Sequence, residues 1–376
     1  MSNPVLTAAI LIEANGAALN NAGNNAGSQA GQILDNAVVV KQIRVGKNVY
    51  PYISGQAIRR WWREVLYTDF AWQPSPVTRE AKSAYTEGDP IQYPDDDMFG
   101  YMAAKKAKKA ARKSKKEETA PIDGLDTEVD PESVDEAASG GTQRRVSPLK
   151  NSLIVSVLPR VITSDFGHFS RDLPVDNPNM VPFEHEHYTA LMQGVFTLSL
   201  QDVGRFECGP MRDVATETPV SELADIIQEA AGNLKPRMLG IKVDERRKRL
   251  TQTIQALGRL RHGANLTRNL SDVVPVVVLL GCLDGGNAPF QNLFTPNTDG
   301  DQVVLNIARL ISVVKDYKDR LLGGEHQLLF GYRPGVLANE AEVLETLNAG
   351  IAGVSFFVGT PGEAIARAAN MTSQVI

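Results

Sequence analysis

The apolar and polar positions of the chain open on a strand. Pro4 to Glu13 (PVLTAAILIE) is apolar at both parities, so both faces are buried and the strand belongs in the middle of a sheet. Val38 to Val45 (VVVKQIRV) predicts a second strand, with Lys41 and Arg44 leaving opposite faces. Gly46-Lys47-Asn48 turns the chain into Val49 to Ile53. The spacing then becomes helical, since Ala57, Ile58, Trp61, Trp62, Val65 and Leu66 recur three and four residues apart. Ser54 is a good N-cap, and no Pro or Gly interrupts the run after Gly55. Further strands are predicted at Leu153 to Ile162, Ala190 to Leu200, Val273 to Gly281 and Val354 to Val358. Helices are predicted at Glu222 to Ala231, Glu245 to Gly258, Gln302 to Leu322, Ala338 to Asn348 and near Glu363 to Ala369. Five or six strands interleaved with helices give an α+β sheet covered by helices on one face. A strand, helix, strand, strand, helix, strand core is the ferredoxin-like arrangement used by many RNA binders, although the aromatic signature of the RRM is missing.

Four stretches break this pattern. Ala14 to Gln32 is rich in Asn, Gly and Ala. It reads either as a loop that wraps a ligand backbone, with Asn20 and Asn21 as contacts, or as a plain connector. Residues 67–102 are Pro- and aromatic-rich and too irregular for one long element. Their triplet Asp95-Asp96-Asp97 suits a cap or solvated turn better than a divalent metal. Lys105 to Lys116 holds eight basic residues and no acid, and Glu117 to Glu136 holds nine acids and no base. Charge blocks this dense read as a disordered or partly helical surface insertion, or as a lysine arm that reaches nucleic-acid phosphates. Finally, Thr163 to Tyr188 is a long stretch between strands. Around it Arg160, Phe166, His168, Phe169 and Arg171 interleave aromatic and basic groups, as single-strand binders do. Its Glu184-His185-Glu186-His187 puts both histidines on one strand face without a third ligand nearby, which argues against metal.

Composition narrows the function. With 376 residues, 43% hydrophobic and 22% charged, the chain is an ordinary globular one. A net charge of -5 excludes a protein basic all over, but not a basic groove on one face. Two distant cysteines, Cys208 and Cys282, give no zinc spacing and no disulfide framework, so a reducing cytoplasm is expected. No apolar run suits a bilayer, so no membrane association is expected. Phosphate loop, nucleophile elbow, HExxH and GxGxxG motifs are all missing, so nothing demands catalysis or a cofactor. A run of Arg259, Arg261, His262, Gly263 and Arg268 follows the helix ending near Gly258.

The stretch from Tyr52 to Glu64 carries the strongest chemistry. A helix that starts at Ser54-Gly55 presents free backbone N–H groups and a partial positive charge to a phosphate. Arg59, Arg60 and Arg63 would extend that field along a nucleic-acid backbone. The alternative is an amphipathic core helix with solvated arginines and an ordinary cap.

Four features in order, Leu11 to Ala14 with Asn20 to Gly23, Ile53 to Arg60, Met98 to Tyr101, and Val203 to Phe206, resemble the DevR-type backbone subunit of type I CRISPR Cascade complexes, closest to subtype I-B. The resemblance runs over most of the chain outside the charged insertion. It implies a modified ferredoxin-like/RRM palm (residues 1–66 and 190–376), a finger-like insertion (67–152, holding a disordered charged segment 103–145) and a thumb hairpin (153–189). It also implies a non-catalytic role in antiviral defence or RNA-guided targeting. Copies of the chain would stack along one crRNA guide, kink it at intervals and leave bases open to target DNA. Other partners would be the large subunit, the small subunit, the guide 5′-end-capping subunit and the guide-processing subunit. Carried onto this sequence, Asn20, Asn21, Ser54, Gly55, Gln56 and Arg59 would hold guide phosphates, with Lys41, Arg44, Arg60 and Arg63 beside them. Arg160, Phe166, His168 and Arg171 would serve the thumb. The competing expectation is an endoribonuclease of the same superfamily, for which Asp35 is the one acid placed to meet a bound strand.

Overall fold

The computed structural model describes residues 3–22, 37–80, 83–103, 142–169, 181–231, 236–263, 266–267 and 269–375. The expectations placed on Asp35, on the charged blocks from Lys105 to Glu136 and on Arg171 lie outside these residues. In chain order the elements are β1 (Pro4–Ala17), β2 (Ala37–Val38), β3 (Gln42–Val45), β4 (Asn48–Ile53), α1 (Gly55–Phe70), β5 (Val77–Glu80), β6 (Ser83–Thr86), α2 (Pro94–Phe99), β7 (Tyr101–Ala103), β8 (Gln143–Arg145), β9 (Leu149–Asn151) and β10 (Ile154–Ser156). They continue with β11 (Thr163–Phe169), β12 (Val181–Ser199), β13 (Arg205–Glu207), β14 (Ala224–Gln228), β15 (Met238–Ile241), α3 (Val243–Leu257), β16 (Pro275–Asp284), β17 (Phe294–Pro296) and β18 (Val303–Leu305). The chain closes with α4 (Ile307–Tyr317), β19 (Leu321–Leu322), β20 (Leu328–Tyr332), α5 (Glu340–Ala349), β21 (Phe356–Gly359) and α6 (Pro361–Val375).

A large mixed sheet runs in the order β21-β20-β16-β1-β12-β10-β4-β3. As its two apolar faces require, β1 is central, antiparallel to β12 on one side and to β16 on the other. Leu6, Ala8, Ile10 and Ile12 point into one core with α1, α3 and α6. The intervening Ala9 and Leu11 point into a second core that includes side chains of α4, α5, β17 and β18. The 19 residues of β12 run from the antiparallel hairpin with β11 straight into the sheet beside β1, so the hairpin is a continuation of the sheet. β9 and β10 are also strands of this sheet, paired to β12. Among the described residues no helix is long and apolar enough to cross a membrane.

Helix α1 forms where the spacing predicts it. Ser54 caps it, its hydroxyl accepting from the Ala57 N–H at 3.3 Å. Ile58, Trp61, Trp62, Val65 and Leu66 are buried. Trp62 donates its indole N–H to the Thr253 carbonyl of α3 at 2.8 Å and meets Phe196 of β12 edge-on at 5.3 Å. α1 is thereby fixed between the sheet and α3, and its free end is the N-terminal turn.

Several elements differ from the sequence expectation. Val38 to Val45 is interrupted, because β2 pairs in parallel with β12 of the hairpin while β3 pairs with β4. Only Ile154–Ser156 of Leu153 to Ile162 is strand. The helix expected at Glu222 to Ala231 is the strand β14, where β-branched Ile226 and Ile227 suit the edge of a three-stranded sheet with β15 and β13. Gln302 to Leu322 splits: β18 pairs with β17, Asn306 caps α4 by accepting from the Arg309 N–H at 2.9 Å, and β19 returns to β16.

The acidic triplet is neither solvated nor a turn. Asp95, Asp96 and Asp97 are all buried in α2. Asp95 accepts from the Tyr67 hydroxyl at 2.7 Å, and Asp96 accepts from the Ser75 hydroxyl at 2.8 Å and the Gly88 and Asp89 N–H groups at 3.1 Å. Burial, offset in part by these donors, raises the Asp96 pKa above the usual carboxylate value. Asp97 lies between the guanidinium groups of Arg145 and Arg249. This node ties α2 to β8 and α3.

Candidate nucleic-acid interface

The N-terminal turn of α1 opens onto a cleft of about 650 Å³. Six of the residues singled out in the sequence line it: Asn20, Asn21, Lys41, Ser54, Gln56 and Arg60. Backbone pairing brings them together. Asn20 accepts the Lys41 N–H on its carbonyl at 3.0 Å and the Ser54 N–H on Oδ1 at 2.8 Å. Asn21 bridges to Val40, and Ala22 donates to the Val39 carbonyl at 2.8 Å. The Asn-rich stretch after β1 is therefore strapped against the segment that carries Lys41 and against the cap of α1. The first N–H groups of the helix have no intrahelical acceptor and carry its positive end.

The three arginines of α1 do not form one stripe. Gln56, Arg60 and Glu64 are four residues apart and share the cleft face. Arg60 is largely exposed and sits 3.8 Å from Glu64. Arg59 turns the other way, and its guanidinium donates to the Phe99 carbonyl at 2.6 Å, the Leu149 carbonyl at 2.6 Å and the Ser147 hydroxyl at 2.9 Å. Burial, with the charge of Arg63 next to it, lowers the Arg59 pKa to about 10. Arg63 lies over the Phe99 ring at 4.3 Å, and Arg59 reaches the same ring at 5.2 Å. These two arginines seat α1 on α2 and β9, and of the three arginines it is Arg60 that lines the cleft. The backbone of Gly55 is held near Asn151, whose amide donates to its carbonyl at 3.5 Å.

A second group of expected residues lies on the β11–β12 hairpin and its base. Phe166 is 59% exposed and meets His168 edge-on at 5.3 Å. Arg44 on β3 is exposed, and its charge opposes the rise that burial imposes on the Glu186 pKa. Glu186 accepts the Val40 N–H at 2.8 Å, so the hairpin base adjoins the strap that ends at Lys41. The Arg160 N–H donates to the Val49 carbonyl at 2.8 Å, and its Nε is enclosed without a partner among the described residues.

Glu64, His262 and Gly263 also line the cleft, and the sequence reading gave them no role there. The Arg-His-Gly run after α3 was visible, but nothing local tied it to α1. The tie is Asp69: Arg261 donates to both of its carboxylate oxygens, with Nη1 to Oδ2 at 2.8 Å. These bonds from Arg261, chiefly, hold the Asp69 pKa down to about 2. Burial pulls the His262 pKa below its usual value, so the imidazole is neutral near pH 7. Among the described residues no group of three or more His, Cys, Asp and Glu side chains comes together to hold a metal.

Lys41, Arg60, amide side chains and a helix N-terminus are groups that can donate to the oxygens of a phosphate backbone. No curated protein matches the chain. Among solved structures it is similar to a chain of a "CRISPR RNA-guided surveillance complex, pre-nicking", with 9% identity over 97% of this chain and 99% of that one and a TM-score of 0.49. A chain of a "CRISPR RNA-guided surveillance complex" is similar with 10% identity over 98% of each chain and a TM-score of 0.46. The family described as "CRISPR-associated negative auto-regulator DevR/Csa2" matches residues 9–119 and 135–301, well over half of the sequence. The chain belongs to the CRISPR-associated DevR/Csa2 family.

Proposed function

We propose that this chain is a non-catalytic RNA-binding backbone subunit of a type I CRISPR Cascade, of the I-B kind. The observation that carries this reading is the convergence of Asn20, Asn21, Lys41, Ser54, Gln56 and Arg60 on one cleft at the start of α1. The sheet supports it as well: β1, α1, β10, β12, α3 and β16 follow as strand, helix, strand, strand, helix, strand. They pair in the order β16-β1-β12-β10, all antiparallel. In this reading these elements form an RRM-like palm. In this reading the cleft grips guide phosphates through Lys41 and Arg60, and the β11–β12 hairpin acts as a thumb whose Phe166 wedges the guide. Copies of the chain follow one another along the crRNA, and the intervening bases pair with target DNA. The protein reads backbone and shape, while base pairing reads sequence. The other Cascade subunits cap, process and complete the assembly.

Lys41→Glu with Arg60→Glu tests this directly. The double variant is expected to lose RNA affinity by at least tenfold for every sequence tried, with a shallower dependence on salt, because two phosphate contacts are removed. Unchanged affinity and salt slope would discard the cleft.

A further inference from the structure

The segment after α3 lines the same cleft as Lys41 and holds a side chain that a phosphate grip leaves without a task. His262 is placed by anchors on both sides. Leu260 is fully buried, and Arg261 holds Asp69 and the Thr68 hydroxyl, the latter at 2.7 Å. Gly263 has φ +151, and a Cβ there would come within 2.9 Å of Leu19 Cδ2, so the backbone packs against the residue preceding Asn20. His262 Nε2 is enclosed and has no partner among the described residues. Burial, with Arg261 and Arg60 nearby, outweighs Glu64 and Asp69 and keeps the ring neutral near pH 7.

A neutral imidazole brings no positive charge to a phosphate, and the neighbouring Glu64 carboxylate repels one. Both groups nevertheless line the same cleft as Lys41 and Arg60. Their chemistry suits a neutral hydroxyl, which donates to the carboxylate and exchanges a hydrogen bond with the imidazole. On a nucleic-acid strand that hydroxyl is the ribose 2′-OH, which DNA lacks.

We propose that His262 and Glu64 read the ribose 2′-hydroxyl of a nucleotide whose phosphate is held by Lys41 and Arg60, making the cleft selective for RNA over DNA of the same sequence. The inference rests on the cleft being the nucleic-acid site. The test is fluorescence anisotropy of the full chain with a labelled oligoribonucleotide, its 2′-O-methyl form and the matching DNA. Wild type is expected to bind the RNA tightest and the other two alike. His262→Ala lowers RNA affinity about five- to tenfold, as expected for one hydrogen bond to a held group, and leaves DNA affinity within about twofold. His262→Gln provides the same comparison should the alanine variant fail to fold. Glu64→Ala raises DNA affinity more than RNA affinity and narrows the ratio. Equal losses for RNA and DNA in His262→Ala, or no loss in either, overturn the hydroxyl contact. Full binding in a Lys41→Ala, Arg60→Ala double variant removes the cleft itself, so the two failures are told apart.

Discussion

Asp97→Asn takes the charge out of a fully enclosed ionic node while keeping its shape. The Asp97 side chain is 0% exposed, and its partners Arg145 and Arg249 are 2% and 3% exposed. One carboxylate oxygen meets Arg145, the other accepts from Arg249 at 2.9 Å, and the Gly204 N–H donates to the group at 3.0 Å. Breaking a buried ion pair from one side costs about 3–5 kcal/mol, because the remaining charge is left uncompensated. Both arginines keep other partners. Arg145 retains Asp213 at 3.3 Å and the Asp202 carbonyl at 2.8 Å, while Arg249 retains Glu245 at 3.2 Å and the Pro90 and Ile91 carbonyls at 2.8 Å. That places the loss in the lower half of the range, about 3–4 kcal/mol. Unfolding entropy of about 2.1 cal/mol/K per residue over 376 residues is about 0.8 kcal/mol/K, so the melting temperature falls by about 4–5 °C. Scanning calorimetry on the purified variant measures it. Arg60→Ala is the control: its pair with Glu64 is exposed and worth at most about 0.5 kcal/mol, so its melting temperature stays within about 1 °C. An Asp97→Asn midpoint within about 1 °C of wild type would refute the reasoning.

Three further outcomes are expected. Gly204→Ala combines a φ of +66 with a Cβ 2.5 Å from Ile241 and 2.6 Å from Arg246, so it should cost about 2 kcal/mol or more, read as a lower denaturation midpoint with unchanged m-value. Trp62→Ala should cost about 3–5 kcal/mol by opening a cavity among α1, α3 and β12, measured by the same titration. The His262 pKa lies below its unfolded value, so the unfolded state takes up the proton first as pH falls through about 6.5. The melting temperature of wild type relative to His262→Gln should therefore decline between pH 7.5 and pH 5.5, and a gap that widens instead would reverse the assignment.

How far the residues alone reach is seen by comparing α1 with α2. The start, buried face and capping of α1 follow from Ser54 and from the spacing of its tryptophans, because each signal lies within four residues of its partner. The central place of β1 follows from its two apolar faces in the same way. From the residues alone Asp97 reads as part of a cap or solvated turn, because its partners lie 48 and 152 residues away and no local pattern marks them. Arg59 and Arg60 are neighbours in sequence with different surroundings, one bonded to α2 and β9 and the other exposed in the cleft. Helical spacing separates their faces, yet only the position of Phe99 decides which face is inside. The cleft was half legible for the same reason. Asn20, Lys41 and Ser54 were selected by residue type near one helix start, whereas His262 arrives through Arg261 and its contact with Asp69, 192 residues away. Ile226 and Ile227 show the remaining weakness, since a short apolar pair among acids fits a helix face until its pairing with β15 is known.

The central claim is that the chain grips a guide RNA along its backbone. The most direct measurement is extraction and sizing of the nucleic acid in the main size-exclusion peak, after co-expression with its neighbouring subunits and a guide array. A large assembly carrying RNA of one discrete length is the expected result, and Lys41→Glu with Arg60→Glu should abolish it while leaving the protein folded. A nucleic-acid-free monomer from the complete co-expression would contradict the account.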